Sequence, residues 1–171
     1  MIRRRLLPLA VLLALAPAAA GCGDDNKDST TKAATQATAT SASTTTYQTQ
    51  VQTILTSVGT AGSTLGTAAQ ASSSSADIAT ALEKFQASVK QAADELSKLT
   101  APTKAQTGQD DLEQVLREIA DGVQPSIDAA KANNRTKFTT TFKAYQAKLD
   151  GAYRDRLTAA GAKIDQALAG Q

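Results

Sequence analysis

The chain of 171 residues has no histidine, no tryptophan and a single cysteine, Cys22. This inventory excludes a Cys–His nucleophile pair, a histidine metal site and an internal disulfide. No phosphate-binding loop, Gly-x-Ser-x-Gly motif or His-Glu-x-x-His motif occurs in the sequence. We therefore expect no catalytic residue, no metal ligand set and no cofactor, and we do not expect an enzyme.

The amino-terminal segment has the order of parts that is typical of a secretory signal. Three consecutive arginines at 3–5 precede an apolar run at 6–20. That run is shorter than the roughly 20 residues that a transmembrane helix needs, and Pro8 and Pro17 interrupt it. A cleaved signal peptide therefore fits this segment better than a membrane-spanning helix does.

Small residues directly precede the cysteine in the stretch Ala19-Ala20-Gly21-Cys22. This stretch resembles the lipobox of bacterial lipoproteins, with Ala19 at the position where that family most often has leucine. The resemblance implies that a signal peptide, 1–21, is cleaved between Gly21 and Cys22 and that Cys22 carries a thioether-linked diacylglycerol. It further implies a protein anchored by lipid in the cell membrane, on its extracytoplasmic face. Two or three acyl chains hold a protein firmly in the membrane, because each CH₂ buried in the bilayer contributes about 0.8 kcal/mol to the binding free energy.

The net charge of +2 depends on the arginines of the signal segment. Without those three arginines the chain has 15 basic and 16 acidic residues, so we expect no nucleic-acid partner. Acids exceed bases by five in 77–128, and bases exceed acids by five in 131–171. Antiparallel packing of consecutive helices would place the basic last helix beside the acidic third one.

The segment after the cysteine is poor in apolar residues. From Gly23 to Thr46 it has no Leu, Ile, Val, Met or aromatic residue, and most positions from Ser29 onward are Ser or Thr. Such a segment buries too little apolar surface to offset the entropy that ordering costs. We predict that 22–46 is an acylated cysteine followed by a disordered Ser/Thr-rich tether. A plain spacer and an O-glycosylated spacer both fit this composition.

From Tyr47 onward, apolar residues recur at the α-helical period, without the alternation that predicts strands. The four stripes are Tyr47, Val51, Ile54, Val58, Ala61, Leu65 and Ala68; Ile78, Leu82, Phe85, Val89, Ala92, Leu96 and Leu99; Leu112, Leu116, Ile119, Val123, Ile127 and Ala130; and Phe138, Phe142, Tyr145, Leu149, Tyr153, Leu157, Ala160, Ile164 and Leu168. Four amphipathic helices with short breaks can bury their stripes against one another. The sequence thus predicts an all-α domain over 47–171, an up-down four-helix bundle.

Two sequence signatures predict helix starts. Ser74 with Asp77, and Asp110 with Glu113, each have the spacing of a capping box. The third helix is expected to begin between residues 103 and 110.

Later in the chain, Pro125 lacks an N–H for the carbonyl of Asp121, so we expect a kink near 121–122. Asn133 and Asn134 predict the turn and cap before the last helix.

The last stripe advances 3.75 residues per step, 30 residues in eight intervals, so it departs from a strict heptad. This spacing favours a compact bundle over a long coiled-coil rod.

Two groups of side chains are candidate sites. Five carboxylates cluster on the third predicted helix, either as a solvated face or as a hard-cation site. They are Asp110, Asp111, Glu113, Glu118 and Asp121. Basic residues alternate with the aromatic residues of the last helix. This pattern has three interpretations: a core with a solvated face, a surface for an anionic polymer or lipid head groups, and a nucleic-acid surface. These bases are Lys131, Arg135, Lys137, Lys143, Lys148, Arg154 and Arg156.

The layout resembles that of small bacterial lipoproteins with a cysteine anchor, a low-complexity linker and an alanine-rich helical domain. Our first hypothesis is a lipid-anchored cell-envelope lipoprotein whose non-enzymatic helical domain binds a protein or cell-wall partner. The alternative is a lipid-anchored binding protein for a small or apolar ligand. An aromatic wall facing a wall of Ala, Gly and Thr either packs tightly or leaves a groove for such a ligand.

Overall fold

The computed structural model describes residues 34–71 and 74–170, and every regular element within them is helical. The α-helices are α1 (Ala34–Ala71), α2 (Ser75–Ser97), α3 (Gln106–Gly122), α4 (Gln124–Lys131), α5 (Arg135–Lys148) and α6 (Arg154–Ala169). A 3₁₀ turn, Thr103–Ala105, precedes α3, and a π-helical turn, Leu149–Tyr153, joins α5 to α6. Because α3 leads into α4 and α5 into α6, these elements form four helical segments. The predicted all-α class is confirmed.

The predicted signal peptide lies outside the described residues, together with its cleavage positions Gly21 and Cys22 and the lipidation site Cys22. Among the helices that the structure describes, none combines the length and apolar character that crossing a membrane requires.

The first helix begins at Ala34, before the predicted domain boundary at Tyr47. The prediction of a disordered tether over 22–46 was therefore wrong for 34–46, which is helical. Alanine has the highest helix propensity, and lengthening an existing helix needs no new nucleus. The packed part of α1, which starts at the buried Tyr47, supplies that nucleus.

The amino-terminal part of α1 projects beyond its neighbour. At 1.5 Å per residue, the 38-residue α1 is about 57 Å long and the 23-residue α2 about 35 Å. The break between the two helices is short, and a methyl group added at Gly62 of α1 would lie 4.0 Å from Phe85 of α2. Near the end of α2, Ile54 and Leu99 line one surface depression. The helices are therefore antiparallel, and the surplus length of α1, about 22 Å, lies at its amino-terminal end.

Helix α2 packs against both α3 and α4. Gln86 Nε2 donates to the carbonyl oxygen of Ala120 at 2.8 Å, and Gln109 Nε2 donates to that of Leu96 at 3.0 Å. The middle of α2 thus meets the end of α3, and the end of α2 meets the beginning of α3. This pattern shows that the two segments are antiparallel.

The last segment packs along the other side of the third one, with α4 against α5 and α3 against α6. Ser126 Oγ lies 3.3 Å from Thr141 Oγ1, and Gly108 lies against Ile164. One continuous core joins all four segments. Its fully buried larger side chains are Leu82, Val89, Leu96, Leu112, Val115, Leu116, Val123 and Ile127.

Several predicted helix boundaries are confirmed. Ser74 caps α2, its Oγ accepting from the backbone N–H of Asp77 at 3.1 Å. The third helical segment is interrupted at Val123, two residues before Pro125. Asn133 has a φ of 52° in the turn before α5.

Asn134 caps α5 through the N–H of Lys137 at 2.9 Å. The capping box predicted at Asp110 and Glu113 was wrong, because α3 already begins at Gln106. Asp110 instead accepts a hydrogen bond from Gln106 Nε2 at 2.8 Å.

The π-helical turn accounts for the wide spacing of the last stripe. Three consecutive steps of four residues connect Tyr145, Leu149, Tyr153 and Leu157. An α-helix would rotate these positions away from the core, whereas a π turn inserts one extra residue and restores the alignment. Both tyrosines are consequently buried.

The contact between Gly108 and α6 is a test of this packing. A Cβ at Gly108 would lie 2.8 Å from Ile164 Cγ1 and 3.1 Å from the carbonyl oxygen of Ala160. We expect Gly108→Ala to lower the free energy of unfolding by about 1–3 kcal/mol, because the helices must separate. The matched variant Gly59→Ala, which meets nothing within 4 Å, should raise it by up to about 1 kcal/mol. Urea unfolding measures the free energy of unfolding of both variants. Equal changes for Gly108→Ala and Gly59→Ala would contradict the close packing of α3 on α6.

Candidate functional site

The acidic third segment and the basic last segment meet, as the charge balance predicted. Arg156 binds Glu118 with both guanidinium nitrogens, the second at 3.1 Å, and Lys163 Nζ lies 2.5 Å from Asp111 Oδ2. The hydrogen bond from Arg156 lowers the pKa of Glu118 below its ordinary value and raises the pKa of Arg156. These two pairs connect α3 with α6.

Each of the five candidate carboxylates has its own protein partner. The pairs are Asp110 with Gln106, Asp111 with Lys163, Glu113 with Arg117, Glu118 with Arg156, and Asp121 with Lys90. Within 34–71 and 74–170, no three acidic side chains converge as a metal site would require. The geometry is that of a solvated helix surface with salt bridges to both neighbours.

The tyrosines of the last segment are fixed by the backbone of α3. Tyr145 Oη donates to the carbonyl oxygen of Ile119 at 3.2 Å, and Tyr153 Oη donates to that of Glu118 at 3.3 Å. A Cβ at Gly122 would lie 3.0 Å from Tyr153 Oη and 3.4 Å from the ring of Tyr145. The aromatic wall therefore packs directly against the small residue that faces it, so of the two outcomes left open by the sequence, tight packing is present at this contact.

The two phenylalanines of α5 form a stacked pair. The ring centroids of Phe138 and Phe142 are 5.4 Å apart, with an interplanar angle of 14°. Both side chains are half-buried against the core cluster. The aromatic residues of α5 thus point toward the core.

Two buried polar atoms, which the sequence patterns did not reveal, lie near the start of α3. Tyr47 Oη and Gln109 Oε1 have no hydrogen-bond partner in the part of the chain that the structure describes. Burial, with a smaller contribution from the charge of Asp110, raises the pKa of Tyr47 to about 12. Gln109 precedes Leu112 by three residues, so the helical period could have identified it as a polar residue on a core stripe.

We call the solvent side of α5 the α5 basic face: it carries Arg135 and Lys143 along one edge, and Lys137 and Lys148 along the other. All four are exposed, and the helix contains no acidic residue. Over the described ranges, none of the four forms an ion pair, whereas Lys131 pairs with Glu83 at 2.5 Å. This face is an unneutralised positive surface.

Two concave regions on the surface are open and shallow. One, of about 430 Å³, follows the hydroxyl-bearing side of α1 from Thr60 to Ala68. The other, of about 330 Å³, lies between α1 and α2 and includes Ile54 and Leu99. Neither borders the aromatic residues of the last segment.

No protein-family model matches the chain, and no curated protein and no solved structure is significantly similar to it. The proposals below are therefore argued from the residues and contacts of the chain alone.

Tyr145 and Tyr47 form a matched pair for mutation. We expect Tyr145→Phe to lower the free energy of unfolding by about 1 kcal/mol, because it removes a buried hydrogen bond. Tyr47→Phe should raise it by up to about 1 kcal/mol, since it removes a buried hydroxyl that has no described partner. Urea unfolding compares both variants with the unaltered chain. A larger loss of unfolding free energy for Tyr47→Phe than for Tyr145→Phe would contradict the hydrogen bonding described for the two hydroxyls.

The pair Glu118–Arg156 predicts an acid dependence of stability. Because Arg156 lowers the pKa of Glu118 from its ordinary 4.5, the pair stabilises the fold above that pH. This contribution is lost as the pH falls through the lowered pKa. Glu118→Gln should therefore be less stable than the unaltered chain at pH 7 and equally stable near pH 2.

Thermal unfolding at the two pH values measures this difference. The control is Asp155→Asn, which removes a charge from α6 at a side chain that is 76% exposed and whose one ion pair in the described part of the chain, with Arg154 at 3.8 Å, lies within that helix. An equal loss for both variants at pH 7 would show that net charge, not the pair, is responsible.

Proposed function

We propose that this protein is a lipid-anchored cell-envelope lipoprotein whose helical domain is a non-enzymatic interaction module. In this proposal Cys22 is acylated after cleavage behind Gly21, and the domain is an up-down four-helix bundle outside the cell membrane. Its partner is a protein or a polymer of the cell wall. The single observation that carries the anchoring is the lipobox-like stretch at 19–22, which contains the one cysteine of the chain.

The geometry of α1 supports such an arrangement. Residues 34–46 extend about 20 Å beyond the start of the packed helix at Tyr47. This projecting end is also the end nearest to Cys22 along the chain. It therefore acts as a rigid spacer between a lipid anchor and the bundle.

The packing supports a surface-binding module over the alternative, a binding protein for a small apolar ligand. A Cβ at Gly122 would meet the hydroxyl of Tyr153 and the ring of Tyr145, so no space for a ligand remains at this contact between α3 and the last segment. The depressions described above open to solvent rather than enclosing a volume. A ligand pocket would bury most of the surface of its ligand.

Replacement of the cysteine tests the anchor. We expect Cys22→Ser to move the protein from the membrane fraction to the soluble envelope fraction, because the thioether lipid cannot form. Immunoblots of fractionated cells measure this shift. The control Gly59→Ala, which leaves the amino-terminal segment intact, should stay with the membranes.

Mass spectrometry of the unaltered protein gives an independent readout. The expected amino terminus is Cys22 carrying diacylglycerol. An unaltered chain that retains residues 1–21, or a Cys22→Ser variant that has lost residues 1–21 and still fractionates with membranes, would contradict the proposal.

A further inference from the structure

We propose that the α5 basic face binds an anionic polysaccharide, a hydroxyl-rich chain that carries phosphate or carboxylate groups. This inference rests on the proposed function, because it names the class of partner that an envelope interaction module would meet. It is carried by the charge, the hydrogen-bonding groups and the position of α5.

The charge of α5 differs from that of every other described basic region. Its 14 residues include four bases and no acid, over a length of about 21 Å. Two of the three bases of α6, Arg156 and Lys163, pair with the acidic α3, and the third, Arg154, lies 3.8 Å from Asp155 of its own helix. Helix α5 packs instead on α4, whose single acid, Asp128, accepts a hydrogen bond from Gln124. A group of uncompensated cations on one helix attracts a polyanion.

The hydroxyl groups between these bases add a second kind of contact. Thr139 and Thr140 are exposed, and their hydroxyls donate to the carbonyl oxygens of Arg135 and Thr136 at 2.9 and 3.1 Å. Their oxygens therefore offer only acceptor positions to a ligand. The lysines and Arg135 offer only donors. A polymer with anionic groups and hydroxyls satisfies both, whereas an anion without hydroxyls satisfies only the bases.

The packing of α5 disfavours a membrane surface as its partner. A helix that lies on a bilayer inserts an apolar face, but the apolar face of α5 is turned to the core. Tyr145 is buried, and Phe138 and Phe142 are half-buried against the core cluster.

The position of α5 in the bundle also favours a polymer of the envelope over the membrane as its partner. Ser75 Oγ donates to Asn133 Oδ1 at 2.8 Å, so the start of α2 and the turn before α5 lie at the same end. The amino-terminal projection of α1 leaves the bundle at the opposite end. The basic face therefore begins at the end farthest from the proposed lipid anchor and faces outward into the envelope.

The experiment compares two triple variants in the full chain carrying Cys22→Ser, which is free of lipid. The test variant is Lys137→Gln, Lys143→Gln and Lys148→Gln. The matched control is Lys84→Gln, Lys98→Gln and Lys104→Gln, which removes the same charge from exposed lysines of α2, of its carboxyl-terminal cap and of the 3₁₀ turn. The probes are polygalacturonate, a phosphorylated mannan, uncharged dextran, inorganic polyphosphate and phosphatidylglycerol vesicles.

We expect the parent chain to bind polygalacturonate or the mannan, with an affinity that falls as salt is added, and not to bind dextran. The test variant should bind about tenfold more weakly or worse, with a smaller salt dependence, while the control binds like the parent. Binding to the mannan alone or to polygalacturonate alone identifies phosphate or carboxylate as the recognised group.

Three results would overturn the inference: equal weakening in both triple variants, tighter binding to polyphosphate or vesicles than to either glycan, or no binding to any probe. Circular dichroism of both triple variants verifies that they are folded. Because the chain in this assay carries no lipid, its outcome is separate from the fractionation of the unaltered protein. Failure here leaves the anchor test unaffected, and failure of the anchor test leaves this binding result unaffected.

Discussion

The close approach of α3 to the last helical segment is the contact on which the architecture depends. Two glycines of α3 make it possible, because a Cβ at Gly108 would collide with Ile164 of α6 and a Cβ at Gly122 would crowd the hydroxyl of Tyr153 at 3.0 Å. The approach brings Tyr145 Oη and Tyr153 Oη within reach of backbone carbonyls of α3. It also sets Arg156 opposite Glu118. Since α3 packs on α2 with its other side, this one helix joins both halves of the core.

The break in the third segment also decides where charge remains uncompensated. Its acidic residues are concentrated in α3, whereas α4, beyond Val123, has Asp128 as its only acid. The half of the last segment that packs on α3 finds partners for its bases, and the half that packs on α4 does not. The positive surface of α5 therefore follows from the position of the break relative to the acids, and the proposed polyanion site is a consequence of this topology.

The departures from the sequence predictions have identifiable physical causes. The helix that starts at Ala34 was missed because disorder was inferred from the composition of 22–46 alone, whereas helix propagation depends on the packed residues that follow. The capping box at Asp110 was misplaced because the 3₁₀ turn had already started the helix upstream. The steps of four residues around Leu149 were visible, but only the packed core shows that a π turn absorbs them.

Local interactions explain what the sequence by itself determined: the helical period, the caps at Ser74 and Asn134, and the interruption near Pro125. Each depends on groups within about four residues of one another, so a single stretch of chain contains the information. The tertiary structure alone decided which bases find partners, that Gln109 is buried, and that the tyrosines contact Gly122. These outcomes depend on pairs such as Glu118 and Arg156, 38 residues apart, whose distance only the packing of whole helices establishes.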